Sequence, residues 1–311
     1  MKTRWGIMVK AVLVVTLVVL SYQLSEAANS KVGTTGAQFL KIGVGGRPIG
    51  MGSAYAGIAD DVNAIYWNPG GIGQIKGTEF MAMHNMWFQS INHEYIGFAH
   101  NIEKIGTLGI GVTYLTVTDI EKRAGDTDAA DGTFGATDMA VALAYGREVS
   151  KNIYAGISAK YLSQTLDDQS ATGFAGDVGV LWKATDKMGL GLAVQNLGTE
   201  MKFINSGDPL PMNIKAGVGY KFIKGLTVGL DVNLPNDNDV SVATGVEYEI
   251  QMGDSFVLSP RAGYKTGTDL GSISGLGAGF GFRLNQLGLD FAYVPCGDLG
   301  NSYRVSLSGQ F

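Results

Sequence analysis

From Gly77 to Phe311 the chain alternates between apolar and polar positions in segments about ten residues long, each closed by turn residues. Leu226, Val228, Leu230, Val232 and Leu234 share one face, while Thr227, Gly229, Asp231 and Asn233 share the other. Leu276, Ala278, Phe280, Phe282 and Leu284 alternate with four glycines and Arg283, and Leu287, Leu289, Phe291 and Tyr293 with Gly288, Asp290, Ala292 and Val294. A period of two held over this many segments predicts strands with one apolar face. Their spans are 78–89, 92–102, 106–119, 134–149, 152–166, 172–184, 187–197, 211–222, 225–235, 240–251, 255–266, 274–284, 286–294 and 301–311. Strands of about 9–11 residues cross a bilayer, and bacterial barrels use an even number of them. The predicted fold class is therefore all-β, a transmembrane antiparallel β-barrel of about fourteen strands.

The connections alternate as such a barrel requires. Those near 103–105, 150–151, 185–186, 223–224, 252–254 and 285 are short, whereas 120–133, 197–210, 235–239 and 267–273 are longer. Short turns belong to the periplasmic side and long loops to the outside. In the last strand Tyr303, Val305, Leu307 and Phe311 share one face against Arg304, Ser306, Ser308 and Gln310. A terminal aromatic with apolar residues at every second position before it resembles the signal read by the barrel-assembly machinery of the outer membrane.

Composition agrees with this reading. Charged residues make up 16% of the chain, against about 25% in soluble domains, and its 46 glycines are roughly twice the usual share. The net charge of −5 and the lack of a basic stripe remove the electrostatic basis for nucleic-acid binding. The single cysteine, Cys296, forms no internal disulfide. A basic start (Lys2 to Lys10), an apolar run over 11–20, and small residues at Ser25 and Ala27 predict a signal peptide cleaved after Ala27. Export follows. The predicted division is a signal peptide (1–27), a hatch inside the barrel (28–76) and the barrel itself (77–311).

The segment before the barrel does not alternate. Its glycine run, Gly43 to Gly52, lacks the G-x-G-x-x-G spacing of a dinucleotide loop and is interrupted by Pro48. Ser53 is placed to cap a helix over 54–65, with Asp60 and Asp61 bonded to loop amides or basic side chains. Asn68-Pro69-Gly70 predicts a tight turn into the wall. Glycine and alanine at many inward strand positions leave room that this segment is expected to fill as a plug.

Candidate chemistry lies on the inward face. Lys160, Asp177, Lys215, Asp231, Glu247, Arg261, Arg283, Asp290 and Arg304 all fall on inward positions and need partners there. Neighbouring strands offer Glu247 to Arg261, and Asp290 to Arg283 or Arg304. Pro260, on the lipid-facing parity, predicts a kink or bulge. Asp126, Asp128, Asp131, Asp167, Asp168, Asp208, Asp237, Asp239, Asp269 and Asp298 read as solvated loop acids, without a twelve-residue calcium loop among them. His84, His93 and His100 share the first hairpin in a register that does not bring two together. No serine or aspartate is set beside a histidine as a hydrolase needs, so no catalytic set, metal or cofactor is expected.

Four runs carry a resemblance: Gly36-Ala37-Gln38-Phe39-Leu40-Lys41-Ile42-Gly43, Gly50-Met51-Gly52-Ser53-Ala54-Tyr55, Ala59-Asp60-Asp61, and Tyr66-Trp67-Asn68-Pro69-Gly70. In order and spacing they are similar to the N-terminal region of PorV/PorQ-type proteins, within the wider FadL-like outer-membrane family. The resemblance implies a hatch motif at Gly50, Met51, Gly52, Asp60, Asp61, Asn68, Pro69 and Gly70, where Gly70 replaces the usual alanine. It implies an interaction or carrier component of type IX-like protein secretion. The partners would be outer-membrane lipids, the assembly machinery, and secretion components or exported cargo. The alternative it implies is a FadL-like passive channel for small hydrophobic molecules, with lateral release at a strand kink. The long outward loops that capture substrate in FadL fatty-acid transporters are absent here.

Overall fold

The computed structural model describes residues 31–268 and 273–311, so the predicted signal peptide and Asp269 lie outside the described residues. Fourteen antiparallel wall strands run in chain order. They are β1 (Thr78–Met86), β2 (Asn92–Ile102), β3 (Gly106–Lys122), β4 (Gly132–Ser150), β5 (Ile153–Leu166), β6 (Gln169–Thr185) and β7 (Met188–Gly198). Then follow β8 (Asn213–Ile223), β9 (Leu226–Pro235), β10 (Ser241–Tyr248, continued by Ile250–Met252), β11 (Phe256–Lys265), β12 (Leu276–Leu284), β13 (Leu287–Pro295) and β14 (Asn301–Gln310). Pairing of β1 with β14 closes the ring, leaving no free edge. The second strand has its predicted bounds. β3, β4 and β6 run longer than predicted, extending into their loops.

Six connections are two- or three-residue turns at one end, and the longer ones gather at the other. The loop after β7 adds a small hairpin, Met201–Lys202 with Gly207–Asp208, which folds over the long-loop end. The outer wall is apolar: Ile96, Leu143, Ile157, Phe174, Leu192 and Leu289 all stand exposed. A surface of this extent would drive association in water, whereas lipid requires it. Tyr303, Val305, Leu307 and Phe311 belong to this face, and the Phe311 ring stacks on Phe80 beside the barrel seam.

Residues 35–75 lie against the inward faces of the strands. They begin at the long-loop end, where the Gly36 amide donates to Pro209, and leave at the short-turn end into β1. Val44, Ile49, Met51, Tyr55, Ile65, Trp67 and Ile72 form an interior core with Met81, Met83 and Tyr95 of the wall. Phe39, Leu40 and Ile42 join Leu115, Leu162, Met201 and Leu210 in a second cluster nearer the long loops.

The helix expected over 54–65 does not form. Gly52, Ser53 and Ala59 adopt positive φ, and helical turns occur instead at Gly46–Gly50 and Ala64–Trp67. A left-handed residue at Ala59 cannot belong to a continuous right-handed helix, and the irregular chain around it is held by side chains of the wall and of the segment itself. Asp231 accepts the Tyr55 and Ala56 amides at 2.9 and 2.8 Å, and Asn68 donates to the Ala56 carbonyl at 3.0 Å. The Asn68-Pro69-Gly70 turn opens a 3-10 helix, Pro69–Gln74, capped by the Asn68 side chain.

Pro260 bends nothing out of register. The β10–β11 ladder stops at Glu247↔Arg261 and resumes at Ile250↔Leu258 in the same register. The β11–β12 register is continuous through Pro260↔Phe280. The expected kink or bulge is therefore only a missing rung, as proline has no N–H to donate.

Close approach of segment to wall depends on inward glycines. At Gly245 a Cβ would collide with the Met51 backbone, and at Gly179 with the Asn68 side chain. Gly245→Val should therefore lower barrel stability by about 1–3 kcal/mol or more. Gly132→Val, where a Cβ meets open space, should not. Urea titration of the heat-modifiable band on an unboiled gel distinguishes the two.

Candidate functional site

Arg47 sits in the turn Gly46–Gly50, buried where the interior segment meets β10 to β14. Its guanidinium binds Glu247 of β10 through two bonds, Nε to Oε2 at 2.9 Å and Nη2 to Oε1 at 3.0 Å. Nη1 reaches Asp60 at 2.7 Å, Asp61 at 2.9 Å and the Tyr55 hydroxyl at 2.8 Å. The Tyr55 hydroxyl in turn donates to Asp61 at 2.7 Å. A planar five-donor fork suits this convergence of acceptors better than a lysine would.

Glu247 also accepts from Arg261 Nε at 2.6 Å, and Arg261 Nη1 reaches Asp290 at 2.5 Å. This corrects the pairing expected for Asp290: it binds Arg261, two strands away, rather than Arg283 or Arg304. The register explains the difference. Asp290 stands opposite Gly281 of β12, and a Cβ there would fall on both Asp290 and Arg261. A glycine in the intervening strand lets the bridge pass over it. Arg283 is opposite Gly288, and Arg304 turns to Ser302 at 3.1 Å.

Two further charged groups lie higher in the lumen. Lys160 bonds Asp177 and Asn196, each at 2.8 Å, while Ser158 also donates to Asp177. Lys215 lies over the Trp67 ring, 4.3 Å from its centroid, with Asp231 on the neighbouring strand holding the 55–56 backbone.

The hatch-motif residues are spread along the whole segment. Gly50 rests on Gly279 and Arg261, Met51 and Gly52 meet Gly245 and Gly263, and Asp60 and Asp61 face Arg47. Asn68, Pro69 and Gly70 lie against Gly156 and Gly179 of the opposite wall. Among the acids expected in solvated loops, Asp237 is buried: it accepts from Thr35 at 2.6 Å, Gln38 at 3.1 Å and Lys41 at 2.9 Å. Burial acts to raise the Asp237 carboxyl, but these hydrogen bonds outweigh it and hold the group below its ordinary value of 3.8. Cys296 is also buried rather than solvent-exposed. His84 meets Glu94, and His93 faces Asn85. No group of three metal-ligating side chains occurs among the described residues.

Reading the sequence left out Arg47, which entered only as one member of the glycine run. The available signal was one arginine in an otherwise apolar stretch facing several inward carboxylates. The Asp237 tether and the stacking of Lys215 on Trp67 were missed because they are long-range.

The interior holds open space at both ends. At the long-loop end a cavity of about 380 Å³ is lined by Ile42, Ile49, Trp87, Phe88, Leu276 and Val294, with Lys265 and Arg304. A second, of about 170 Å³, carries amide and lysine side chains and shares Lys41, Gly43, Ser53 and Lys265 with the first. At the short-turn end about 260 Å³ opens beside Asp60, Lys183 and Lys221. The core around Met51 and Trp67 lies between the two ends.

Comparison with known proteins fits this architecture. A family model described as an uncharacterised protein family (UPF0164) matches residues 14–252. No curated protein sequence matches the chain. Among solved structures, the Ralstonia pickettii toluene transporter TbuX aligns at 12% identity over 86% of this chain and 98% of its own, with a TM-score of 0.59. A channel described as the CymD monoaromatic hydrocarbon channel aligns at 12% identity over the same shares, with a TM-score of 0.62. A Pseudomonas aeruginosa FadL homologue aligns at 11% identity over 86% and 98%, with a TM-score of 0.56. At such identities the shared property is the fold.

Two outcomes follow from the charge pattern. Arg47→Met should cost about 3–5 kcal/mol, because it strands buried carboxylates, and adding Glu247→Gln should recover part of that loss. Urea unfolding of the native chain, the single variant and the double variant measures this. The Asp237 tether contributes stability above the ordinary carboxyl value and loses it as pH falls through the lower folded value. Protease should therefore reach residues 31–42 only in acid in the native chain, but at every pH in Asp237→Asn.

Proposed function

This chain belongs to the uncharacterised protein family UPF0164, and from that premise we propose that it is an outer-membrane channel for small hydrophobic molecules. The observation that carries the reading is the apolar cavity at the long-loop mouth, where Trp87, Phe88, Leu276 and Val294 meet Ile42 and Ile49 of the interior segment. A concave, mostly apolar chamber with a few polar groups is the usual form of a small-ligand site. Barrels of the same fold include proteins described as a toluene transporter and a monoaromatic hydrocarbon channel, which supports the same class of solute. In this reading residues 1–27 direct export, 28–76 act as the hatch, and 77–311 form the wall, with the long loops outward. Tyr303, Val305, Leu307 and Phe311 supply the assembly signal on the lipid face.

The carrier reading ranks second. It rests on the PorV/PorQ-like order of residues 36–70, and those residues are occupied inside the barrel, with Arg47 and Asn68 turned to the lumen wall. A cargo surface would have to come from the loops instead.

Reconstitution tests the proposal. Bilayers with a lipopolysaccharide outer leaflet should admit a small aromatic hydrocarbon several times faster with the protein than without it. Equal rates, together with secretion components or exported cargo co-purifying from native membranes in mild detergent, would move the assignment to the carrier.

A further inference from the structure

The two cavities at the long-loop end differ in chemistry although they share Lys41, Gly43, Ser53 and Lys265 in their walls. The larger is walled by aromatic and aliphatic side chains. The smaller is walled by Gln195, Asn196, Asn213, Asn233 and the lysines Lys41, Lys215 and Lys265. A neutral hydrocarbon leaves all of those groups without a ligand partner.

Lys215 is the informative residue. It is 4% exposed, and its ammonium lines the smaller cavity without a hydrogen bond or ion pair among the described residues. The Trp67 face at 4.3 Å orients it but accepts none of its three donors as a hydrogen-bonding oxygen would. Buried cations are normally paired, so an unpaired one at a cavity wall marks a place for an incoming anion. Lys265 is in the same position: it lines both cavities and has no partner among the described residues. Lys41 is already held by Asp237, and Asp239 is the other carboxylate of the smaller cavity. The cavity walls carry three lysines against two acids, with Arg304 adding a further cation on the apolar side; Asp231, on the strand beside Lys215, commits its Oδ2 to the Tyr55 and Ala56 amides.

We infer that the vestibule selects compact organic anions, seating an oxyanion head on Lys215 and Lys265 and an apolar or aromatic body against Trp87, Phe88 and Leu276. This rests on the channel reading and deepens it: the preferred solute is an amphiphilic acid rather than a neutral hydrocarbon. Lys215 and Lys265 are then specificity residues, and the amide row beside them orients the head. Gln195 fixes that row to the interior segment through the Tyr66 carbonyl at 2.7 Å, and Asn213 extends it toward Asn233.

The test uses 4-toluenesulfonate and its neutral counterpart, methyl 4-tolyl sulfone, with the full-length protein in detergent. Fluorescence of Trp67 and Trp87 should report tighter binding of the sulfonate. Lys215→Met should weaken the sulfonate by about tenfold or more and leave the sulfone unchanged, as expected for loss of a charge-assisted bond. Lys215→Arg should retain most of the affinity, and Lys265→Met gives a second reading should the first variant not fold. Equal binding of the two probes, or equal losses in both variants, overturns the inference. Vesicle uptake separates it from the reading beneath it. Vesicles that admit both probes without preference keep the channel and reject the anion site. Lysine-dependent binding without uptake keeps the site and rejects the channel.

Discussion

A fourteen-stranded wall with glycine or alanine at many inward positions does not fill its own interior, and much else in this molecule answers that deficit. The interior segment supplies the missing volume, but it does so with backbone more than with side chains. Glycines at Gly179, Gly229, Gly245 and Gly263 bring residues 51–70 into direct contact with the wall. At that distance the backbone amides and carbonyls of the segment come within reach of inward polar groups. Asp231 and Gln195 make those bonds from the wall, and Asn68 reaches back from the segment to the Val180 carbonyl. Close approach and irregular conformation are thus one constraint seen from two sides.

The charged network follows from the same geometry. Arg47 is carried into the lumen by the segment, and Glu247 and Arg261 are carried in by strand parity. Each alone would be a buried, uncompensated charge, at a cost of several kcal/mol. Together they form a chain from Asp60 and Asp61 through Arg47, Glu247 and Arg261 to Asp290. The wall therefore depends on the segment electrostatically as well as sterically.

The strand ladder was legible because its signal is local. Leu226 to Leu234 alternate whatever lies opposite them, and the turn residues at 103–105 or 285–286 mark the ends. The inward charges could be placed by parity for the same reason, and Glu247 with Arg261 followed from adjacency. Asp290 could not be paired this way, since its partner depends on a glycine in the strand between. Residues 35–75 were hardest to read. Ser53 and the alanines after it have the composition of a helix, and nothing local reveals that Asp231, far along the chain, takes the Tyr55 and Ala56 amides. Asp237 was misplaced among the solvated acids because the Thr35–Lys41 stretch that buries it is distant in sequence.

The distribution of these bonds bears on where the lumen could yield. The bidentate Arg47–Glu247 joint and its neighbours fix the segment to β10, β11 and β13, and breaking such a joint is expensive. At the long-loop end the attachments are of another kind: the Asp237 carboxylate accepts from Thr35, Gln38 and Lys41, Gln164 accepts from the Ala37 amide, and an apolar cluster surrounds Phe39. Bonds to an ionised carboxylate contribute about 1.5–3 kcal/mol each, so this end is held through one loop residue rather than through a network that links three strands. The amide-lined and apolar cavities lie at this end, and a further cavity opens beside Asp60 at the other. The missing rung at Pro260, beside Glu247 and Arg261, falls at the strongly held level, where the two arginines bind across the β10–β11 boundary from within.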